Sequence, residues 1–228
     1  MGPSTVVRDE TKLRKLLSER GVSDETIASH LAIITGSVKD AAAVRRTLAG
    51  PSEGAKAVDI VVSGIGGKPQ LRSSVSKPTF DDPTVCRDTT RTMLEALRSL
   101  PQGPKPHVVV ISTTGINQNG RDIPILMLPL YRWLLTVPQE DKREMEAMIA
   151  AEMKKPERAR AIQSYLVVRP SVLIDGEMTS MERIRVGNDL IPEIGYTISR
   201  NDVGLWIFET AIRGMSKLSG GRTACLTK

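Results

Sequence analysis

The chain has 228 residues, of which 40% are apolar and 25% charged, an ordinary soluble composition with length enough for one sizeable core, so disordered and fibrous classes are excluded. Its net charge of +6 is scattered among acids and only 3% of residues are aromatic, so neither a basic stripe nor a stacking platform argues for nucleic acid. The longest apolar stretch, Ile123 to Pro138, is broken by Pro124, Pro129 and Arg132 and is too short to span a bilayer; with no cationic leader in view, the expectation is a cytoplasmic protein that does not enter a membrane.

Taken in chain order, Val- and Ile-rich runs alternate with segments of helical apolar spacing. A strand is predicted at Ser4 to Val7, a helix at Glu10 to Glu19, a strand at Leu31 to Thr35, and a helix from Asp40 to Ala49, with Asp40 as N-cap and Gly50-Pro51 as its stop. The next strand, Val58 to Ser63, runs into VVSGIGGKP at Val61 to Pro69, whose glycines have the spacing of a dinucleotide loop. That fingerprint requires a strand, G-x-G-x-x-G and then a helix facing the pyrophosphate. Pro69 stands at the last glycine position, and the following LRSSVSKPTFDDP has no 3.6-residue apolar period, so the loop is not a phosphate cradle.

A helix at Thr84 to Leu100, a strand at Val108 to Ser112, a helix at Glu140 to Met153 and a strand at Tyr165 to Val168 follow. Beyond Pro170 the pattern loosens into short extended pieces, RIRV and GYTI, then a helix in NDVGLWIFETAIR started by Asn201 or Asp202, and a late strand near Thr223 to Leu226. This alternation predicts an α/β fold: a doubly wound, mainly parallel sheet covered on both faces, in a single domain over residues 1–228. Cys86 and Cys225 lack CxxC spacing, and His30 and His107 have no visible partner, which predicts reduced thiols, structural histidines and no metal site.

Sheets of this kind bind ligands beyond the carboxyl ends of their strands, which directs attention to TGSVKD, VVSGIGG, VVISTTG and VVRPSVL. Any strand that ends in a turn is followed by polar residues, so the ordered set matters more than any one end. With VVRDETKL before them and ISRNDVGLWIFETAI after them, these segments resemble the NmrA-like branch of the atypical short-chain dehydrogenase/reductase family, from Val6 onward. The resemblance implies a Rossmann-like domain, NADP as cofactor and a small-molecule substrate. It places Arg8 at the 2'-phosphate, where a planar cation forks onto a phosphate. It puts Ser37 where the family commonly has an acid near the adenine, and lets backbone at Gly64 and Gly66 approach the ribose side. Ser112 and Thr113 fall beside the reacting carbons, and Arg169 and Pro170 join the cofactor contacts at the entrance to the substrate region.

The same resemblance matches PQEDKREMEAMI to the segment that carries the family's active-site lysine. Helical spacing turns Lys142 inward while Arg143 and Glu144 face water, and the competing reading is a solvated lysine. An inward Lys142 would hold ribose hydroxyls or stabilise a developing oxyanion. The family's tyrosine four residues earlier is replaced by Pro138, which leaves Thr113, Tyr131 or water to donate the proton. Ser171 to Met178, with Tyr131 and Trp133, are expected to wall an apolar pocket.

The family opens with a strand, a G-x-x-G-x-x-G turn and a helix, none of which precedes Ser4, so the expected sheet is N-terminally truncated. In the order 3-2-1-4-5-6 the absent strand is the central one. The sheet is then expected to close up, to borrow a strand in a homodimer, or to be completed by residues outside this sequence. Losing about three charge-assisted hydrogen bonds of roughly 1.5–3 kcal/mol each, with a helix-end contribution of ~0.3–1 kcal/mol, would take a micromolar cofactor to about millimolar or weaker. Three functions follow: an NAD(P)H-dependent oxidoreductase acting on a small apolar molecule, of the kind met in secondary metabolism; a cofactor-independent isomerase or cyclase, including pericyclic ring closure, in the vacated cleft; and a non-enzymatic nucleotide-sensing regulator.

Overall fold

The computed structural model describes residues 2–49, 56–70 and 79–228. Gly50 and Pro51, the expected helix stop, lie outside the described residues. The chain forms two compact groups, one of Met1–Asp59 with Asp88–Pro106, the other of Ile60–Arg87 with His107–Lys228.

In the first group, β1 (Ser4–Val7) and β2 (Ala32–Thr35) pair in parallel, with Ser4 opposite Ala32 and Val7 opposite Thr35. Between them lie α1 (Glu10–Glu19) and α2 (Asp24–His30), each opened by a side-chain cap: Asp9 accepts from the Lys12 N–H and Ser23 from the Thr26 N–H. The α2 helix has no counterpart in the sequence reading, since seven residues with one buried position, Ile27, are too few to show a period. At the start of α3 (Ala41–Ala49), the Asp40 carboxylate accepts the Ala42 N–H at 2.9 Å, the capping role its position predicts. The Ser4 hydroxyl donates to the Thr47 carbonyl at 2.6 Å and ties β1 to that helix. Most of α4 (Val85–Ser99) also belongs to this group and buries Met93, Leu94, Ala96 and Leu97.

The second group is built on a five-stranded sheet of order β3-β6-β7-β11-β9. Its strands are β3 (Ile60–Ser63), β6 (His107–Ile111), β7 (Ser164–Pro170), β11 (Gly221–Thr227) and β9 (Arg185–Gly187); the first four run parallel and β9 antiparallel. Small pairs flank it, β4 (Pro69–Gln70) with β5 (Thr79–Phe80), and β8 (Val172–Ile174) with β10 (Thr197–Ser199). Its helices are α5 (Leu128–Leu134), α6 (Thr136–Lys154) and α7 (Arg200–Ile207).

The three central strands are buried on both faces, which is why they read as continuous apolar runs. Val109, Leu166, Val168, Ala224 and Leu226 pack with Val203, Trp206 and Ile207 of α7, while the alternate residues Val108, Val110, Val167 and Cys225 are equally buried. The sheet is mainly parallel, as the alternation of elements predicts. Its strands β7 and β11 extend further than their apolar cores suggest, and β11, last in sequence, sits inside the sheet between β7 and β9. Among the described residues β1 pairs with β2 alone and β3 with β6 alone. No described helix is long and apolar enough to cross a membrane.

Candidate active site

Past the end of β6 the chain keeps following β7 instead of turning away. The Ser112 N–H donates to the Val168 carbonyl at 2.7 Å and the Thr114 N–H to the Pro170 carbonyl at 3.1 Å. The strand-like alternation therefore continues: Ser112 and Thr114 are buried, and Thr113 between them is half-buried. The Ser112 hydroxyl is buried without a hydrogen-bond partner. Thr114 Oγ1 lies 3.1 Å from the Tyr131 hydroxyl and 3.3 Å from the Pro170 carbonyl, so Tyr131 donates to Thr114 when Thr114 donates onward. Thr113 donates to the Thr114 carbonyl at 3.1 Å.

Gly115 closes this ledge with φ of 86°, and a Cβ there would lie 2.3 Å from Gln139 Nε2 and 2.6 Å from Tyr131 Cδ1. The glycine is needed both for its backbone angle and for its lack of a side chain. Gln139 in turn donates to the Gly115 carbonyl at 3.2 Å.

Helix α6 supplies the opposing row. Lys142 Nζ donates to the carbonyls of Ile65 at 2.7 Å and Ile111 at 2.6 Å, so the ammonium bridges the ends of two neighbouring strands. The Cys86 thiol also stands within side-chain hydrogen-bonding reach of this ammonium. Beside it, the buried Asp141 carboxylate accepts the Cys86 and Arg87 N–H groups, each at 2.9 Å, and so caps the start of α4. The Cys86 thiol donates to the Ile65 carbonyl at 3.3 Å; burial pushes its pKa up to about 12, which leaves it a protonated, unreactive group.

One turn further, Glu146 takes both Nε and Nη2 of Arg169, and Arg169 Nη1 reaches Asp189 at 2.6 Å. Burial opposes the arginine's charge, but the two carboxylates outweigh it and hold the guanidinium above its ordinary range. Nearby, Asp122 is buried with Oδ2 unpartnered, and burial raises its pKa against the backbone N–H groups that favour its charge. Burial likewise raises the Tyr131 phenol.

Within the second group the structure brings Lys142, the Gly64-Ile65 turn and the Ile111-Ser112 step together, with Tyr131, Thr114 and Pro170 forming an adjoining hydrogen-bonded chain. Lys142 is directed inward, as its helical position predicts. Thr113 is the least buried of the three consecutive hydroxyl residues. A Cβ at Gly64 would meet only Ile111 Cδ1 at 3.6 Å and one at Gly66 nothing, so packing does not demand glycine at either place. The Arg169 side chain is engaged by carboxylates, and Pro170 contributes its carbonyl to the ledge. Arg8 and Ser37 belong to the first group: Arg8 is exposed after β1, and the exposed Ser37 accepts the Lys39 N–H at 3.2 Å. Sequence reasoning passed over Thr114, Asp122, Gln139, Asp141 and Glu146. Asp141 and Glu146 flank Lys142 in one acidic and basic run, and nothing in that run marks which carboxylates turn inward.

A mainly parallel α/β sheet of Rossmann-like type is the architecture of dinucleotide-binding domains. The chain belongs to the NAD(P)H-binding family, whose model matches residues 4–212. It is 40% identical to Reductase pytE of Aspergillus terreus over 231 residues, covering 98% of this chain and 88% of that one. It is 33% identical to Oxidase pynE of Aspergillus niger over 248 residues, covering 95% and 85%. Among solved structures it is similar to a wide-type short-chain dehydrogenase/reductase from Veillonella parvula in complex with NADP, with a TM-score of 0.66 at 13% identity over 100% of this chain and 83% of that one. It is also similar to the anaerobilin reductase ChuY of Escherichia coli O157:H7, with a TM-score of 0.62 at 15% identity over 98% and 84%. The protein is an oxidoreductase-like enzyme of this family with an NAD(P)H-binding fold, the kind that takes a small-molecule substrate.

Proposed function

We propose that the protein is an NADPH-dependent reductase of a small, largely apolar organic molecule. The observation that carries this reading is the Lys142 ammonium, held by the Ile65 and Ile111 carbonyls at the strand ends. Bound NADPH supplies a hydride. In the second group the residues suited to hold its nicotinamide side are Ser112, whose buried hydroxyl has no partner, the open backbone at Gly64 and Gly66, and Lys142 itself. The fit is chemical: an orphaned hydroxyl and a fixed ammonium charge both suit ribose or carboxamide oxygens.

Lys142 also places fixed positive charge where a carbonyl oxygen would become anionic, and the charge is preorganised because two carbonyls already fix it. The half-buried Thr113 hydroxyl passes a solvent proton, whereas Tyr131, buried and bonded to Thr114, holds the ledge in place. The family membership and the reductase name of the relative from Aspergillus terreus support the same direction.

Titrating the protein with NADPH while following tryptophan fluorescence should give a saturable change, with half-saturation at roughly millimolar concentration or tighter. Lys142→Met should keep the fold by circular dichroism but lose about tenfold or more in reductive turnover, the order expected for one oxyanion-stabilising group. A folded protein that stays silent to NADPH up to millimolar concentration overturns the reading.

A further inference from the structure

Away from the lysine, a cavity of about 370 Å³ opens in the second group between the 121–126 turn, β9 and the 194–196 segment. Its apolar side is formed by Pro124, Ile125, Leu126 and Tyr196, of which Leu126 is 81% exposed and Ile125 64%. Large side chains left this open to water are costly unless something covers them. Its polar side is cationic. Arg121 has no carboxylate partner among the described residues, and only its Nη1 is engaged, by the Ile123 carbonyl at 2.9 Å. Arg185 is paired with Glu193 at 3.1 Å and held by the Ile194 and Lys228 carbonyls at 3.0 and 3.4 Å, and Lys228 completes the lining.

We infer that this cavity is a further ligand site, separate from the one at Lys142, and that its ligand is a small organic molecule with one anionic group, a carboxylate or an acidic enolate, on an apolar body. Arg121 takes the anion with its free N–H groups, and Ile125, Leu126 and Tyr196 cover the apolar part, while the Arg185 charge is already offset by Glu193. A neutral ligand would leave Arg121 without an acceptor, while a purely polar anion would leave the exposed aliphatic wall wet. The inference stands apart from the reductase reading, whose reacting group lies at Lys142.

The test uses two dyes of nearly the same body, 1-anilinonaphthalene-8-sulfonate as the anion and N-phenyl-1-naphthylamine as the neutral counterpart. Arg121→Gln should weaken the anionic dye by about tenfold, the value of one charge-assisted hydrogen bond, and leave the neutral dye within about twofold. Because Leu126 is so exposed, Leu126→Glu and Leu126→Lys both leave the fold intact. The glutamate should weaken the anionic dye and the lysine should not. Equal responses of the two dyes, equal effects of glutamate and lysine at 126, or no binding of the anionic dye overturn the inference. The assay contains neither NADPH nor turnover. A protein that is silent to NADPH yet discriminates between the dyes therefore loses the reductase reading and keeps the anion-binding cavity.

Discussion

Single residues in this site are decided by what each must not do. Gly115 must not carry a Cβ, because its φ of 86° and the 2.3 Å approach of Gln139 Nε2 both exclude one. Gly115→Ala should cost at least ~1–2 kcal/mol from the backbone angle alone, with the overlap adding to it. An unchanged urea midpoint would show that the ledge is not fixed as described. Asp122 must not be charged without cost. Its folded-state pKa is raised, so the folded state keeps the proton longer than the unfolded chain does. Its contribution to stability is present below the unfolded carboxylate range and is lost as pH rises through the folded value. The Asp122→Asn variant should therefore gain thermal stability relative to the parent as pH goes from 4 to 7, and a pH-independent difference would refute the assignment. Lys142 was legible because a short charged motif in helical register carries it. Asp122 was not, since an aspartate in a GRDIP turn looks like any solvated loop residue until its burial is seen.

At the scale of elements, α6 is the organising piece, and four of its side chains reach five separate places on the backbone. Gln139 holds the Gly115 carbonyl, Asp141 the start of α4, Lys142 the ends of β3 and β6, and Glu152 the Ala161 N–H at 2.6 Å. Its period was readable from Glu140 to Met153. Its true start at Thr136 was hidden by Pro138, which the first turn accepts because an N–H there has no intrahelical partner. Asp141→Ala removes a charged acceptor from two N–H groups at once and should cost about 1.5–3 kcal/mol, while Asp141→Asn should recover part of it. Hydrogen exchange localises the effect: the Cys86 and Arg87 amides should lose protection first. If those two amides exchange as in the parent, the cap is not what holds the helix start. Short elements escaped the sequence for a different reason. The α2 helix and the strand β8 present too few residues for a period of 3.6 or 2 to emerge from chance, whereas β9 and β10 fall on the short extended pieces RIRV and GYTI.

For the molecule as a whole, the consequential feature is that its last strand is an inner one. β11 joins β7 along a parallel register from Gly221 opposite Tyr165 to Leu226 opposite Pro170, and carries β9 on its other side. The run TACL, Thr223 to Leu226, reads as a strand from the sequence, but its place between β7 and β9 does not, because parallel neighbours are chosen by non-local packing. Three consecutive residues, Ala224, Cys225 and Leu226, are buried on alternate faces, and Leu226 is fully enclosed. The Ser171 hydroxyl adds a bond to Thr227 Oγ1 at 3.1 Å across the same pair of strands. The five-stranded sheet is thus incomplete until β11 is in place, and pairing so distant in sequence must overcome a large loop-closure entropy before it contributes stability. Leu226→Ala should therefore cost about 2–5 kcal/mol and lower the denaturant midpoint. Because β11 joins β7 to β9, the loss should be felt by probes throughout the second group: the Trp206 environment and the β6 and β7 amides should shift together. A variant in which only the amides of β11 and β9 lose protection would mean that the sheet can stand without its inner strand.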